Sequence, residues 1–424
     1  MSETSTNFPI ESLYIHVPFC VKKCPYCDFF SLERGEKFFE DYTNTIISEI
    51  KNLDTSNKFS TIYIGGGTPT ALPSFLLCEI LHETKNFCRD DAEITVEANP
   101  GTVDKKYLSA LKSAGANRLS LGLQTTHAHL LRKIGRIHSL RDFAKNFENA
   151  REVGFENINV DLMFALPEQT CDEWDETLAQ VISFAPEHIS AYALTLSRET
   201  KWALSDDETD RKMYHATRRI LGDAGYFHYE ISNFARAGKE SRHNTNCWTM
   251  RPYVGVGAGA HSFDGAARWK NTEDISRYVA FFRGLPTLGF DENTKKRSQI
   301  SSCKKFLSQE NCEEKNLPND ENTKKCSSIS PRKKFPSQEN CAEKNSAQKN
   351  IVEEKISLSD ADLLAEKIIL GLRLTRGVHE KYFSAFAAET EKLIASGLLQ
   401  RKKNRFCLTE RGLDFANVVF AEFI

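Results

Sequence analysis

The stretch YIHVPFCVKKCPYCDFF, residues 14–30, decides the fold. It begins as a short β-rich run, Tyr14-Ile15-His16-Val17, and passes directly into a loop holding Cys20, Cys24 and Cys27 at C-x-x-x-C-x-x-C spacing. Lys22, Lys23 and Pro25 between the cysteines suit a loop better than a core. Three thiolates can hold three irons of a 4Fe-4S cluster and leave the fourth iron open, where four would saturate it. An open iron can be chelated by the amine and carboxylate of an amino acid, as catalytic metal sites keep a position for substrate. Two other chemistries fit the same letters: a zinc site completed by His16, and three buried structural thiols. No second C-x-x-C or Cys/His knuckle follows nearby, which weighs against zinc.

Outward from that loop, β-rich runs alternate with amphipathic segments. The runs are LYIHV (13–17), TIYIGG (61–66), EITVEA (93–98), RLSLGLQ (118–124), NINVDLMFAL (157–166) and HISAYALTL (188–196). Between them, EKFFEDYTNTIISEIKNL (36–53), VDKKYLSALKSAG (103–115) and CDEWDETLAQVISFA (171–185) carry apolar residues at helical spacing. Repeated β-then-α units with apolar strands predict an α/β domain, a parallel sheet covered by helices. Six units are too few for a closed eight-fold barrel, so a partial (β/α)6 barrel is expected over residues 8–285. The carboxyl ends of such strands form the active face. Those ends present His16 and the cysteine loop, Gly65 to Thr68, Glu97 with Asn99, Gln124, and Asp161 with Met163. Glycines at 65–67 let backbone groups approach a ligand closely, although a tight β-to-α turn uses glycine equally. For Glu97 and Asp161 the plain alternative is a fold-stabilising role, and for Arg136 a solvated surface charge.

A duplication lies late in the chain. DENTKKRSQISSCKKFLSQENCEEKN (291–316) recurs as DENTKKCSSISPRKKFPSQENCAEKN (320–345), a period of 29 residues. Both copies are rich in Lys, Glu, Asn, Ser and Gln with almost no apolar periodicity, which argues against a solenoid. Residues 291–350 are therefore expected to be a disordered, duplicated insertion, with Cys303, Cys312, Cys326 and Cys341 as stray thiols. After it, SDADLLAEKIILGLRLTRG (359–377) has Ser359 as a helix cap with Asp362 three residues on. ETEKLIASG (389–397) reads as a helix ending at Gly397, and LLQRKKNRFCLT (398–409) as a hairpin turning near Asn404. Helix, helix, hairpin, helix predicts a small winged-helix-like α+β domain over 355–424. Its basic residues are few and offset by acids, so docking or a lid role is expected rather than DNA binding.

The whole chain carries 56 Lys and Arg against 58 Asp and Glu, net -2, so no basic field points to nucleic acid. The amino terminus lacks a cationic start and an apolar core, and no run of about 18 apolar residues occurs, which predicts a soluble cytoplasmic protein. Twelve cysteines are too sparse for a disulfide scaffold. Clustered thiols in a reducing compartment point to a metal instead.

YIHVPFCVKKCPYCDF, GGGTPT, VEANP, SLGLQT, IGRIH, DLMFALPEQT and HNTNCW together resemble the radical S-adenosylmethionine (SAM) enzymes, and among them the oxygen-independent coproporphyrinogen III oxidase-like group. The resemblance covers about residues 8–285 and 355–420. Asp28 and Phe29 follow Cys27, where the true dehydrogenases resemble each other in Cys-Gly-Cys, and this difference favours the heme-chaperone branch. The resemblance implies Cys20, Cys24 and Cys27 as 4Fe-4S ligands. It implies Tyr14, Tyr26, Gly66, Gly67, Thr68, Glu97, Gln124, Arg136 and Asp161 as SAM contacts, with the ring of Tyr26 packing on adenine. HNTNCW (243–248) resembles that branch's heme motif, with His243 as an axial candidate and Trp248 for the porphyrin face. Cys247 stands where the branch has tyrosine, which introduces a thiol and removes a phenol. His261, in YVGVGAGAHS, is a second heme candidate; the glycines there also fit a loose dinucleotide fingerprint but open no βαβ unit.

The implied function is a heme chaperone that binds heme and delivers it to heme-requiring respiratory apoproteins, some of them membrane-associated. The alternative is an oxygen-independent coproporphyrinogen III oxidase, which decarboxylates two propionates oxidatively. A reduced cluster in this superfamily passes one electron to the sulfonium of SAM, giving methionine and a 5'-deoxyadenosyl radical. The chaperone branch resembles the enzymes in that apparatus without oxidising coproporphyrinogen. A zinc-stabilised scaffold is the third reading.

Overall fold

Along Ser12–Val17 (β1), Leu13, Ile15 and Val17 alternate with Ser12, Tyr14 and His16, the two-residue period of a strand with one apolar and one polar face. The same alternation recurs in five more strands of the computed structural model, which describes residues 9–53, 58–195, 202, 206–283 and 351–424. Phe59–Gly66 (β2), Cys88–Ala98 (β3), Arg118–Gln124 (β4), Ile158–Phe164 (β5) and His188–Ala193 (β6) follow β1 in that order, every neighbouring pair parallel. Their apolar face carries Ile15, Ile64, Val96, Leu121, Val160 and Ile189, all fully buried. It packs on Phe39–Lys51 (α1), Ser74–Thr84 (α2), Lys105–Ala114 (α3), Leu140–Glu152 (α5) and Cys171–Ser183 (α6) in one core; the short Ala128–Lys133 (α4) lies between α3 and α5. Each such side chain contributes about 1.5–3 kcal/mol through burial. The helices start where the sequence caps them: Ser139 with Asp142, and Thr170 with Glu173, form reciprocal capping boxes.

The opposite face is polar and in register. Tyr14 lies beside Tyr63, Tyr63 beside Thr95, and Thr95 beside Arg118. One layer nearer the carboxyl ends, His16, Gly65, Glu97 and Ser120 belong to the same face of their strands. Gly122, Asp161 and Ser190 continue it. A ligand entering at the carboxyl ends therefore meets a lining of polar side chains.

The sheet is larger than six strands. Tyr253–Val256 (β9) adds a seventh parallel strand on the far side of β1, followed by antiparallel His261–Phe263 (β10), Ala267–Asn271 (β11) and Val352–Ser357 (β12). At the other edge Asn233–Ala235 (β8) and Phe227–Glu230 (β7) pair antiparallel beyond β6. The order β12-β11-β10-β9-β1-β2-β3-β4-β5-β6-β8-β7 leaves its end strands unpaired with each other, so the barrel stays open among the described residues. YVGVGAGAHS makes the β9–β10 hairpin: a Cβ on Gly255 would lie 2.1 Å from the His261 carbonyl oxygen, and Gly257 turns at φ +104°. That crossing accounts for the glycines without a dinucleotide.

Asp207–Asp223 (α7), Arg242–Trp248 (α8) and Ile275–Phe282 (α9) complete the large domain. The expected insertion, 291–350, lies outside the described residues. Asp360–Leu372 (α10) opens with a Ser359–Asp362 capping box. Val378–His379 (β13), Ala387–Ala395 (α11), Leu399–Lys402 (β14) and Arg405–Leu408 (β15) follow, with sheet order β13-β15-β14. The hairpin turns at Lys403-Asn404, and its unit has its own core around Leu372, Phe383, Leu393, Val419 and Phe423. Among the described residues no helix is long and apolar enough to cross a membrane.

Candidate cluster and cofactor site

The cysteine loop is stitched to the glycine turn that follows β2. Gly67 N–H donates to the Val17 carbonyl at 2.9 Å and Thr68 N–H to the Phe19 carbonyl at 2.7 Å. Glycine is required there: a Cβ on Gly67 would lie 2.7 Å from the Phe19 carbonyl oxygen and 3.1 Å from Cys20 Sγ. Gly66 sits at φ +115°, and a Cβ on it would strike the His16 ring at 2.7 Å. Cys20 Sγ lies 3.6 Å from Thr68 Oγ1, and Cys24 Sγ accepts from Arg136 Nη1 at 3.7 Å. Cys27 N–H closes the loop on the Cys24 carbonyl at 3.1 Å. Burial pushes the Cys20 thiol up and the Cys27 thiol to about 11, so a bound cation is what would make them thiolates near neutral pH.

The residues fit a cluster better than a single zinc. A tetrahedral zinc would need a fourth ligand beside the three thiols. His16, the candidate four residues before Cys20, is committed elsewhere. Its Nε2–H donates to the Phe30 carbonyl at 2.9 Å, and its Nδ1 accepts the Tyr14 hydroxyl at 2.8 Å. Burial lowers the His16 pKa to about 4, so it stays neutral.

Next to the loop, Asn99 joins three segments. Its Nδ2 donates to Thr68 Oγ1 at 2.7 Å, and its Oδ1 accepts from Arg136 Nη2. The same guanidinium nitrogen donates to the Gly122 carbonyl at 2.6 Å, while Arg136 Nε is buried without a partner. Glu97 accepts the Tyr63 hydroxyl at 2.6 Å and Gly66 N–H at 3.3 Å. Burial pushes its carboxyl up to about 7, with the Asp161 carboxylate adding to the rise. A cation beside it would draw it into the ionised form. Asp161 accepts from Ser120 Oγ at 2.9 Å and Asn159 Nδ2 at 2.8 Å. Gln124 ends β4 at φ +73°. The Tyr26 ring packs on an apolar cluster of Leu130, Ile134, Met163 and Leu166. Cys24, Thr68, Asn99, Arg136 and His138 line one cleft at this rim.

The fold thus brings Cys20, Cys24, Cys27, Gly66, Gly67, Thr68, Glu97 and Arg136 together, with Tyr14, Gln124 and Asp161 on the same polar face. Asn99, expected at the rim, proves to link Thr68 and Arg136; Gly122 and Tyr63 emerge as additional members, and SLGLQ was the signal for the first. Arg136 is no surface charge: its guanidinium donates inward to Cys24, Asn99 and the Gly122 carbonyl.

HNTNCW lies elsewhere. Ser241 caps α8, and Glu93 accepts the Arg242 and His243 amides at 3.0 and 3.1 Å. His243 is only 5% exposed. Its Nδ1 meets Thr61 Oγ1 at 3.0 Å, and its ring lies 5.1 Å from that of Tyr63. Thr61 hydroxyl donates to Ser12 Oγ, so His243 Nδ1 carries the proton and Nε2 the lone pair. Thr61 is four residues before Gly65, about 13 Å back along the strand from the cysteine end. Arg373 lies over the Trp248 ring at 4.5 Å, and Trp248 Nε1 is buried without a partner. Burial pushes the Cys247 thiol to about 11. His261 is exposed on β10.

An open parallel α/β sheet whose first strand runs into a three-cysteine loop defines a radical SAM protein, and the Radical SAM superfamily profile matches residues 14–181. The HemN C-terminal domain profile matches residues 358–415. The chain is 31% identical to the heme chaperone HemW of Bacillus subtilis, over 98% of this chain and 99% of that one. It is 37% identical to the heme chaperone HemW of Escherichia coli, over 60% of this chain and 70% of that one. The solved structure of the E. coli coproporphyrinogen III oxidase HemN, a radical SAM enzyme, shares the fold at TM-score 0.73 and 20% identity, over 99% of this chain and 91% of that one. The chain belongs to the heme chaperone HemW family.

Proposed function

We propose that this chain is a cytoplasmic heme chaperone that carries a 4Fe-4S cluster and SAM on the carboxyl rim of its sheet and hands heme to heme-requiring respiratory apoproteins. The observation that carries the reading is the convergence of the three-cysteine loop with Thr68, Glu97, Asn99 and Arg136 on one rim. Cys20, Cys24 and Cys27 would be the three cluster ligands, leaving SAM to bind beside them. When bound, the cluster would supply one electron to the SAM sulfonium. The chain's own residues bind, orient and shield. Gly66, Gly67 and Thr68 bring backbone close to the methionine end, and Glu97 answers its positive charge. Tyr26 offers an aromatic face to adenine, and Tyr14, Gln124, Arg136 and Asp161 complete the polar lining.

Heme enters this reading through the relatives' names and through HNTNCW. His243 Nε2 is the proposed iron ligand, with Trp248 against the porphyrin. Because His243 sits between Thr61 and Tyr63, heme can reach it only when α8 leaves that seat. Tyr63 touches both His243 and Glu97, which joins the two sites by one side chain. The test offers heme and coproporphyrinogen III side by side to the anaerobically reconstituted protein with SAM and a reductant. A Soret band without coproporphyrinogen consumption supports the chaperone; consumption without a Soret band refutes it.

A further inference from the structure

Among the described residues one group of three metal-ligating side chains gathers its ligand atoms within 4.8 Å of one another: His127, His129 and Glu173. It contains none of the loop cysteines and is formed by the turn after Gln124 and the start of α4, facing the first turn of α6. The His127 and Glu173 donor atoms are each aimed by a bond at the other end of the group. His127 Nε2–H donates to the Glu173 carbonyl at 3.0 Å, which leaves the lone pair on Nδ1, 4.0 Å from Glu173 Oε1. His129 Nε2 lies 3.1 Å from the same oxygen. Glu173 Oε2 is taken by the capping box, accepting Thr170 N–H at 2.9 Å and its hydroxyl at 3.2 Å, so Oε1 is the oxygen turned toward the imidazoles. Glu176 Oε2 stands 3.6 Å from His127 Nε2, the kind of carboxylate that backs a ligating histidine. Thr125 and Thr126 hydroxyls reach Thr177 of α6 at 3.5 and 3.2 Å, so the turn and the helix hold both halves of the group in place.

The His127 Nδ1 lone pair and Glu173 Oε1 face each other and repel unless a proton or a cation lies between them. Two imidazole nitrogens and one carboxylate oxygen are donors suited to zinc and its first-row neighbours. A tetrahedral zinc with bonds of about 2.0–2.2 Å sets such atoms roughly 3.3–3.6 Å apart, between the 3.1 and 4.0 Å found here. His129 is half exposed, which leaves water access to a fourth position. We propose that His127 Nδ1, His129 Nε2 and Glu173 Oε1 bind a zinc-class divalent cation that braces the turn after Gln124 against α6.

The experiment uses full-length protein carrying Cys20→Ser, Cys24→Ser and Cys27→Ser, so the loop thiols cannot take the metal and the outcome does not depend on the cluster. It is equilibrated with Zn2+ at buffered free concentration, and zinc per chain is measured by mass spectrometry after dialysis. Adding His129→Ala, or separately Glu173→Gln, should each remove about one zinc per chain. Both variants should fold, because His129 is half exposed and glutamine keeps the capping box; circular dichroism verifies this. Zinc content equal to the parent in either variant overturns the site. Melting gives a second readout: zinc should raise the parent's midpoint and leave both variants unmoved.

Discussion

Gly67→Ala tests how the glycine turn holds the cysteine loop. The added methyl would sit 2.7 Å from the Phe19 carbonyl oxygen, 3.0 Å from the Phe19 nitrogen and 3.1 Å from Cys20 Sγ. Carbon and oxygen normally stay about 3.3 Å or more apart, so a shift of roughly half an ångström is needed. Phe19 resists it. Its ring is fully buried, 4.9 Å from that of Phe39 and 5.2 Å from that of Tyr42, and its carbonyl is held by Thr68 N–H. Overpacking of this kind costs about 1–3 kcal/mol, which a domain stable by roughly 5–15 kcal/mol survives. Cys20 is the neighbour free to move, so the strain should appear as a displaced ligand. Expressed fully in cluster retention, it is about a 5- to 150-fold loss. The assay follows the brown absorbance of anaerobically reconstituted protein during challenge with an iron chelator. Gly222→Ala, in α7 with nothing within 4 Å of its Cβ, is the control and should match the wild type. Equal chelation rates in Gly67→Ala and wild type, both folded, would refute the reasoning.

Arg136→Met removes the donors to Asn99, the Gly122 carbonyl and Cys24; SAM affinity should fall roughly 10- to 150-fold in equilibrium binding, since hydrogen bonds from charged groups contribute about 1.5–3 kcal/mol. Iron content should persist, and unchanged SAM affinity would remove Arg136 from the site. Glu97 is pushed from the ordinary 4.5 to about 7 by burial, so between those values the folded state holds more protons than the unfolded chain. Stability should therefore decline as pH rises through that window and level off above it. Glu97→Gln should flatten that part of the profile in urea titrations; identical slopes in both proteins would contradict it. His243→Ala breaks a buried bond to Thr61 and should cost about 1–3 kcal/mol of stability while weakening heme binding in Soret titrations; unaltered heme binding moves the iron ligand elsewhere.

Much of this was legible because it is written in short-range pattern. The six strands follow from alternation such as Leu13, Ile15 and Val17, and the Ser359–Asp362 cap and the Lys403-Asn404 turn follow from local rules. The cysteine spacing and the glycine turn marked one end of the sheet as the site. The parallel pairing of Tyr253–Val256 with β1 was not legible, because it joins segments about 240 residues apart and local propensity carries no trace of it. Asn99 looked like one polar residue at a strand end. Only the fold sets it between Thr68 and Arg136. HNTNCW was legible as a motif, but its position against Thr61 and Glu93, away from the cysteine end, is a tertiary fact.

The central claim is that an iron left without a protein ligand takes up SAM at this rim. Electron paramagnetic resonance of the reduced, reconstituted chain tests it most directly, recorded before and after SAM is added. Direct ligation by an amine and a carboxylate predicts a changed cluster signal, lost altogether in Cys24→Ser. A signal indifferent to SAM, or no cluster signal from a chain holding a single zinc, would contradict it.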